Sequence, residues 1–391
     1  GRRIHPQARV VPLMHKRALA SVVLLLVVVA ATVGILLTRQ QDPVDPPVVS
    51  PTAAPIPGTL LVQLRDPKLL AAGSVLLGVR EGERLDQLWW TAQWWIDQVG
   101  IEEVSAAELG RKPVPYVMQT VQNQIGVPVD DAWVLDRLAF AGLVDAVGGV
   151  RIDVEQPTVY LTDAGTPALI AAGIQTLSGA QAADFVLDAS LTDEDVRLGR
   201  FQAVWDQVLR RFPTDVDKAR TLVVSLGALS KATMPTEELA VYLSEAHGLR
   251  IRGAYAEARV RLDGQNAVRV RPPQGVREAY ALDPIATRRR VEALFDGYPA
   301  LEEPVARFQA VTVRDEAVEQ MRADLLERSW QSSWGGRALT TATTATVDPA
   351  VPSTEVAALE EVMGVPAQSG EVALAQARVA VAADDETAVG S

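Results

Sequence analysis

The segment Phe140–Val154, FAGLVDAVGGVRIDV, constrains the fold more than any other. Leu143, Val144 and Val147 form an apolar helical face, the pattern stops at Gly148-Gly149, and the alternating strand VRIDVE begins at once. Two glycines let the backbone adopt positive φ without a Cβ clash, so a helix ends and a strand starts within two residues. Such a junction predicts an α/β fold. The flanking pattern agrees: Leu60–Leu64 and Ser74–Val79 read as strands, and Val114–Gln124 as a helix ended by Gly126-Val127-Pro128. Ser178 is placed to cap the helix LSGAQAADFVL. Thr192–Phe212 is the best amphipathic helix, with Thr192 and Asp195 as its cap signal and Val196, Phe201, Val204, Val208 and Phe212 as its apolar face. RGAYAEARVRL and AVRVRP alternate as a strand pair around Asp263-Gly264, and DPIATRRRVEALF follows as a helix.

After Gly297–Pro304 the pattern restarts as strand, long helix, β-rich run, helix and strand, which predicts a separate small α/β domain over 301–391. Upstream, Ala18–Leu37 is an uncharged apolar stretch of twenty residues, roughly 30 Å as a helix and so the thickness of a bilayer core. It is too long for a signal-peptide core and no A-x-A site closes it, so it reads as an uncleaved anchor. Arg2, Arg3, Arg9, Lys16 and Arg17 precede it, which places the basic tail 1–17 in the cytoplasm and the bulk of the chain outside. A linker over 38–58 follows, with six prolines in Asp42–Gly58, an extended spacer. Six of the 37 basic residues and none of the 49 acidic ones lie in the first forty, which leaves a net −18 beyond them. That balance excludes a general nucleic-acid binder. With no cysteine and three histidines, thiol chemistry and His- or Cys-rich metal sites are excluded as well.

Two ordered segments resemble the LytR-CpsA-Psr family. The first is FAGLVDAVGGVRIDV, with Asp145 before the double glycine; the second is GIQTLSGAQAADFVLDASLTDEDVRLGRFQAVWDQVL, with Gly173, Leu177, Gly179 and Ala182, then Arg197, Arg200 and Gln202. The resemblance covers about 70–295 and implies an LCP-like α/β domain over 59–298 with a central mixed sheet flanked by helices. It adds a small C-terminal α/β domain and one N-terminal transmembrane helix. Members transfer glycopolymers from polyprenyl-phosphate carriers to peptidoglycan, so the implied partners are the membrane, a polyprenyl-phosphate lipid or cell-wall glycopolymer, and envelope proteins.

The family's active-site motif aligns with SVLLGVREGERLDQLWW, where Arg84 and Asp86 match, Leu85 replaces a serine and Arg80 stands near an acidic position. By resemblance the catalytic set is Arg84, Asp86, Arg197 and Arg200, with Asp86 also the ligand of Mg²⁺. Arginines clamp a pyrophosphate leaving group and a carboxylate holds the metal against it. A serine-isoleucine-proline-arginine-aspartate motif is absent, and Leu187 and Ala189 occupy two arginine positions. Loss of several charge clamps removes the main source of transition-state stabilisation. Two readings follow: a catalytically degenerate binding or scaffold protein, or an active Mg²⁺-dependent glycopolymer phosphotransferase. Plainer roles stand beside them: Asp86 as a strand-end carboxylate, Arg197 and Arg200 in ion pairs. The Trp89, Trp90, Trp94 and Trp95 cluster reads as core or as a lipid-tail or partner groove.

Overall fold

The computed structural model describes residues 58–382, apart from 81, 99–100, 162–164, 189–192, 261–266, 271–278, 283, 300, 302, 311–315 and 338–339. The expected anchor, most of the linker, Asp263-Gly264 and Ala189 lie outside the described residues. Among the described residues no helix is long and apolar enough to cross a membrane.

Six strands make the central mixed sheet: β1 (Gly58–Arg65), β2 (Ala71–Arg80), β3 (Arg84–Trp90), β4 (Asp131–Leu135), β5 (Ser230–Ala232) and β6 (Tyr255–Val260), in the order β5-β4-β1-β2-β3-β6. β1, β2 and β3 form an antiparallel meander, whereas β4 runs parallel to β1 and β6 parallel to β3. Both faces are buried, which is why β2 reads as an almost unbroken apolar run.

Side-chain alternation divides the sheet between two cores. Val75, Leu77, Leu85, Trp89 and Trp133 face one; Leu61, Leu76, Leu88, Trp90 and Ala132 face the other. The first face is covered by helices α2 (Arg137–Ala146), α3 (Gly179–Val186), α4 (Glu194–Arg211), α5 (Val216–Ser225) and α6 (Thr236–Ile251). Helices α1 (Val114–Ile125) and α7 (Pro284–Phe295) cover the second. Trp89, Trp90 and Trp94 are all buried, Trp89 on the first face and the other two on the second. These tryptophans are core residues; the side chain of Trp95 lies outside the described residues.

α4 lays its aromatic stripe on the first face. Phe201 meets Trp89 edge-on at 5.5 Å and Phe140 at 5.9 Å between ring centroids, and Trp205 meets Trp133 at 6.2 Å. The close fit needs Gly73 in β2, because a Cβ there would stand 2.7 Å from the Phe201 ring.

The predicted double-glycine junction forms as expected: α2 ends, Gly148 and Gly149 take φ of 83° and 78°, and the strand Val150–Val154 begins. The Ser178 cap forms as a full capping box with Gln181. Three expectations are corrected. Asp193 caps α4, since its carboxylate accepts from the backbone amides of Asp195 and Val196, while the expected cap residue Thr192 lies outside the described residues. Val196 is exposed rather than buried, because five residues before Phe201 places it about 140° round the helix. The strands Tyr255–Val260 and Ala267–Val270 do not pair with each other. The first is recruited by β3 and the second pairs with Ala279–Leu282, so a shared alternating pattern did not mean a shared ladder.

Beyond α7, the strands Gln331–Arg337, Val305–Ala310, Ala377–Val381, Thr344–Val347 and Ala367–Ser369 form a five-stranded sheet in that order. The helices Glu316–Leu326 and Ser353–Met363 accompany it, around a core that includes Phe308, Trp330, Leu359 and Val379. Its buried Arg307 donates to the carbonyls of Gln124, at the end of α1, and Leu374, at 2.8 and 3.3 Å.

The two family-like segments meet at one contact. The Gly179 amide donates to Asp145 Oδ1 at 2.6 Å, and a Cβ on Gly179 would stand 1.9 Å from the Ala141 carbonyl oxygen. Gly179→Ala must therefore push α3 off α2. It is expected to cost about 1–3 kcal/mol, the usual range for overpacking, seen as a lower denaturation midpoint; an unchanged midpoint would contradict this packing.

Candidate functional site

Asp86 lies on β3 opposite Gly78 of β2 and faces the second core, beside Leu88 and Trp90. Its side chain is 0% exposed, yet charged groups surround it. Arg84 Nε stands 2.5 Å from Oδ1 and Arg80 Nη2 3.3 Å from Oδ2. The Tyr298 hydroxyl donates to Oδ2 at 3.3 Å. Gly78 makes room for that hydroxyl, since a Cβ there would stand 2.3 Å from it.

Both arginines also bind the end of α7. Arg84 Nη2 donates to the carbonyls of Ala293 and Leu294 at 3.1 and 3.0 Å, and Arg80 Nη1 to that of Asp296 at 3.4 Å. Cations suit a helix C-terminus, where the carbonyls lack intrahelical partners. Burial raises the Asp86 pKa above the usual carboxylate range, and Arg84 and then Arg80 oppose that shift. Burial, and then the Asp86 charge, hold the Tyr298 pKa above its ordinary value.

This arrangement does not fit Mg²⁺. The ion demands about six oxygens in octahedral geometry and keeps several waters, whereas Asp86 offers one carboxylate with no exposed surface and two cations already on it. A divalent ion about 5 Å from one guanidinium would meet roughly 6–7 kcal/mol of repulsion at an effective dielectric of about 20. Among the described residues no group of three or more His, Asp or Glu could hold a metal.

Arg197 and Arg200 lie on α4, on the opposite face of the sheet. Arg200 donates to the Phe185 carbonyl at 3.0 Å and Thr158 Oγ1 at 3.0 Å, approaches Asp188 at 3.5 Å, and stacks on the Phe185 ring at 4.3 Å. Arg197 pairs with Glu194 and reaches the Asp188 carbonyl at 3.5 Å. The predicted set therefore separates into two pairs: Arg84 with Asp86, and Arg197 with Arg200. Leu187, where the resemblance expects an arginine, ends α3 and packs against the first core.

A cleft of about 600 Å³ opens beside α4, lined among others by Arg200, Arg259, Asp153, Gln156, Phe185 and Val196. The exposed Val196 belongs to this wall. Arg259, on β6, reaches it because β6 joins β3, and its Nε bonds Gln202. Sequence reasoning missed Arg259 and Tyr298. Each arrives by tertiary pairing, with no local motif to mark it; the only trace of Tyr298 was the glycine at position 78.

Residues 107–202 match the model of the LytR_cpsA_psr family. Over that segment the chain is similar to the LytR-CpsA-Psr family. The match runs through the Asp145–Gly179 contact and ends at Gln202, so it holds the α4 arginines but not Arg84 or Asp86. Among solved structures, the fold is similar to B. subtilis TagV, with a TM-score of 0.53 at 12% identity over 62% of this chain and 98% of that one. The gbs0355 protein of Streptococcus agalactiae gives 0.52 at 13% identity, over 63% and 90% of the two chains. The transcriptional regulator EF0465 of Enterococcus faecalis gives 0.51 at 15% identity over the same shares. At these identities the likeness is one of fold. No curated protein matches the chain by sequence.

Tyrosine ionises near pH 10 in an unfolded chain, whereas Tyr298 and the buried Tyr242 keep their protons to higher pH when folded. A raised folded pKa gives stability that is complete below the unfolded value and is lost as pH rises beyond it. Unfolding free energy is expected to fall above about pH 10, and Tyr298→Phe to flatten part of that fall. An identical alkaline slope in both proteins would contradict the assignment.

Proposed function

We propose that this LytR-CpsA-Psr protein is an extracytoplasmic, membrane-anchored component of cell-envelope assembly. In this reading it binds a polyprenyl-phosphate lipid or wall glycopolymer without transferring it. The carrying observation is that Asp86, the carboxylate the family resemblance assigns to metal and catalysis, is buried among Arg80, Arg84 and Tyr298. The second support is that Arg84 lies beside Asp86 on the second face, whereas Arg197 and Arg200 sit on α4, which packs on the first. With Asp86 held by two guanidiniums and the clamps divided between two faces, this chain's residues would give phosphoryl transfer little charge stabilisation. Binding would fall to the cleft beside Arg200 and Arg259, whose guanidiniums, Gln156 and carboxylates can take sugar hydroxyls or a phosphodiester. The anchor Ala18–Leu37 and the outward placement rest on apolar length and flanking charge.

The test incubates the full chain with a lipid-linked glycopolymer precursor, peptidoglycan acceptor and Mg²⁺, and follows both binding and release of the polyprenyl carrier. Retention of the lipid-linked polymer without release is expected, with affinity lowered about tenfold or more in Arg200→Ala. Release that Asp86→Ala abolishes would establish the active transferase instead.

A further inference from the structure

We infer that the cleft beside α4 selects a zwitterionic ligand, a phosphodiester that also carries an ammonium group, over a phosphodiester alone. The inference rests on the reading of this cleft as the binding site, and its test separates failure of the selectivity from failure of the site.

Charges of both signs line the cleft, and they lie at different depths. The two guanidiniums share the wall made by α4. Arg200 belongs to the helix, and the Arg259 guanidinium lies over the preceding residue, Gly199, 3.8 and 3.9 Å from where a Cβ would stand. Both are recessed. The Arg200 side chain is 14% exposed and is held by Phe185, Asp188 and Thr158. Arg259 is half-buried and bonds Gln202.

Carboxylates hold the rim. Asp153 and Glu155 lie two apart, and both line the cleft and are exposed. Strand alternation turns Asp153 outward, because its neighbours Ile152 and Val154 are buried. Asp195, in the first turn of α4, is a third exposed carboxylate on the lining. Three carboxylates against two guanidiniums leave the lining one charge negative.

An anion drawn to the guanidiniums therefore sits among exposed carboxylates. Like charges about 6–8 Å apart in water weaken binding roughly two- to threefold each. A ligand with an ammonium beyond its phosphate reverses that sign. Its phosphate meets Arg200 and Arg259, and its ammonium, a compact cation with three donors, meets Asp153 and Glu155. The same chemistry occurs in an amino-substituted polymer repeat and in a lipid head group.

The test titrates the full chain, in a neutral maltoside detergent, with two water-soluble phosphodiesters that differ in one group. Glycerophosphoethanolamine carries an ammonium where glycerophosphoglycerol carries hydroxyls; saturation-transfer NMR gives both affinities. The first is expected to bind about three- to tenfold more tightly, with a preference that shrinks as salt is raised. Asp153→Asn combined with Glu155→Gln, both at exposed positions, should abolish the preference and strengthen glycerophosphoglycerol binding. Arg259→Gln should weaken both ligands. Mixed micelles containing phosphatidylethanolamine separate the sources: loss of glycerophosphoethanolamine binding there assigns the cleft to a lipid head group, and unchanged binding assigns it to a polymer repeat. Equal or tighter binding of glycerophosphoglycerol would overturn the selectivity and leave the site. Ethanolamine alone binding as tightly as the zwitterion would overturn it too, as an acidic surface only. Binding of neither diester would overturn both the selectivity and the site.

Discussion

A carboxylate without exposed surface is tolerated only if its charge is compensated where it lies, and the second face of the sheet is organised around that need at Asp86. Two arginines from the β2–β3 hairpin meet the charge and then reach on to the open carbonyls of α7. One set of guanidiniums therefore satisfies a buried anion and a helix end together. Remove the carboxylate and two cations remain against the carbonyls; remove the helix and the carboxylate loses its cover. Arg84 and Asp86, which the family resemblance connects with phosphate chemistry, here join a helix to a sheet.

The first face is built mainly on aromatic and aliphatic packing. There α4 contributes aromatic edges, Gly73 yields the space they need, and the arginines of the same helix project to its rim, where they tie down Phe185, Asp188 and Thr158. Packing and polar work are thus divided along a single helix. Positions that point inward fix the sheet, and those 100–140° away shape the wall of the cleft.

Local signals were legible in the chain and long-range partners were not. Gly148-Gly149, the Ser178 cap and the amphipathic run of α4 each specify their structure through neighbours a few residues away, and each was readable apart from the cap and Val196 of α4. Strand pairing is decided over much larger separations, so Tyr255–Val260 took β3 as its partner across more than 160 residues rather than the nearby Ala267–Val270. The site followed the same rule. Arg84 and Asp86 were recognised together because both match the family's active-site motif, and lying two apart on one strand they share a face. Tyr298 completes their surroundings from the far end of the domain, and nothing in its own segment announces it. The opposed placement of the α4 arginines follows from side-chain parity along β3, which becomes decisive only once the helices have been assigned to their faces.

The buried Arg307 bears on how the molecule comes apart. Its guanidinium closes the last turn of α1 by donating to the Gln124 carbonyl, and the Leu374 carbonyl it also holds lies where a Cβ on Gly126, directly after that turn, would stand 3.0 Å from it. Helix α1 belongs to the core of the larger sheet and Leu374 to the chain of the smaller one. Separating the two parts would break the bonds from the Arg307 guanidinium to the Gln124 and Leu374 carbonyls and expose the apolar contacts of Leu374. That coupling makes the second sheet less an appended module than a continuation of the first domain's folding, so the two should melt in one cooperative transition rather than in succession.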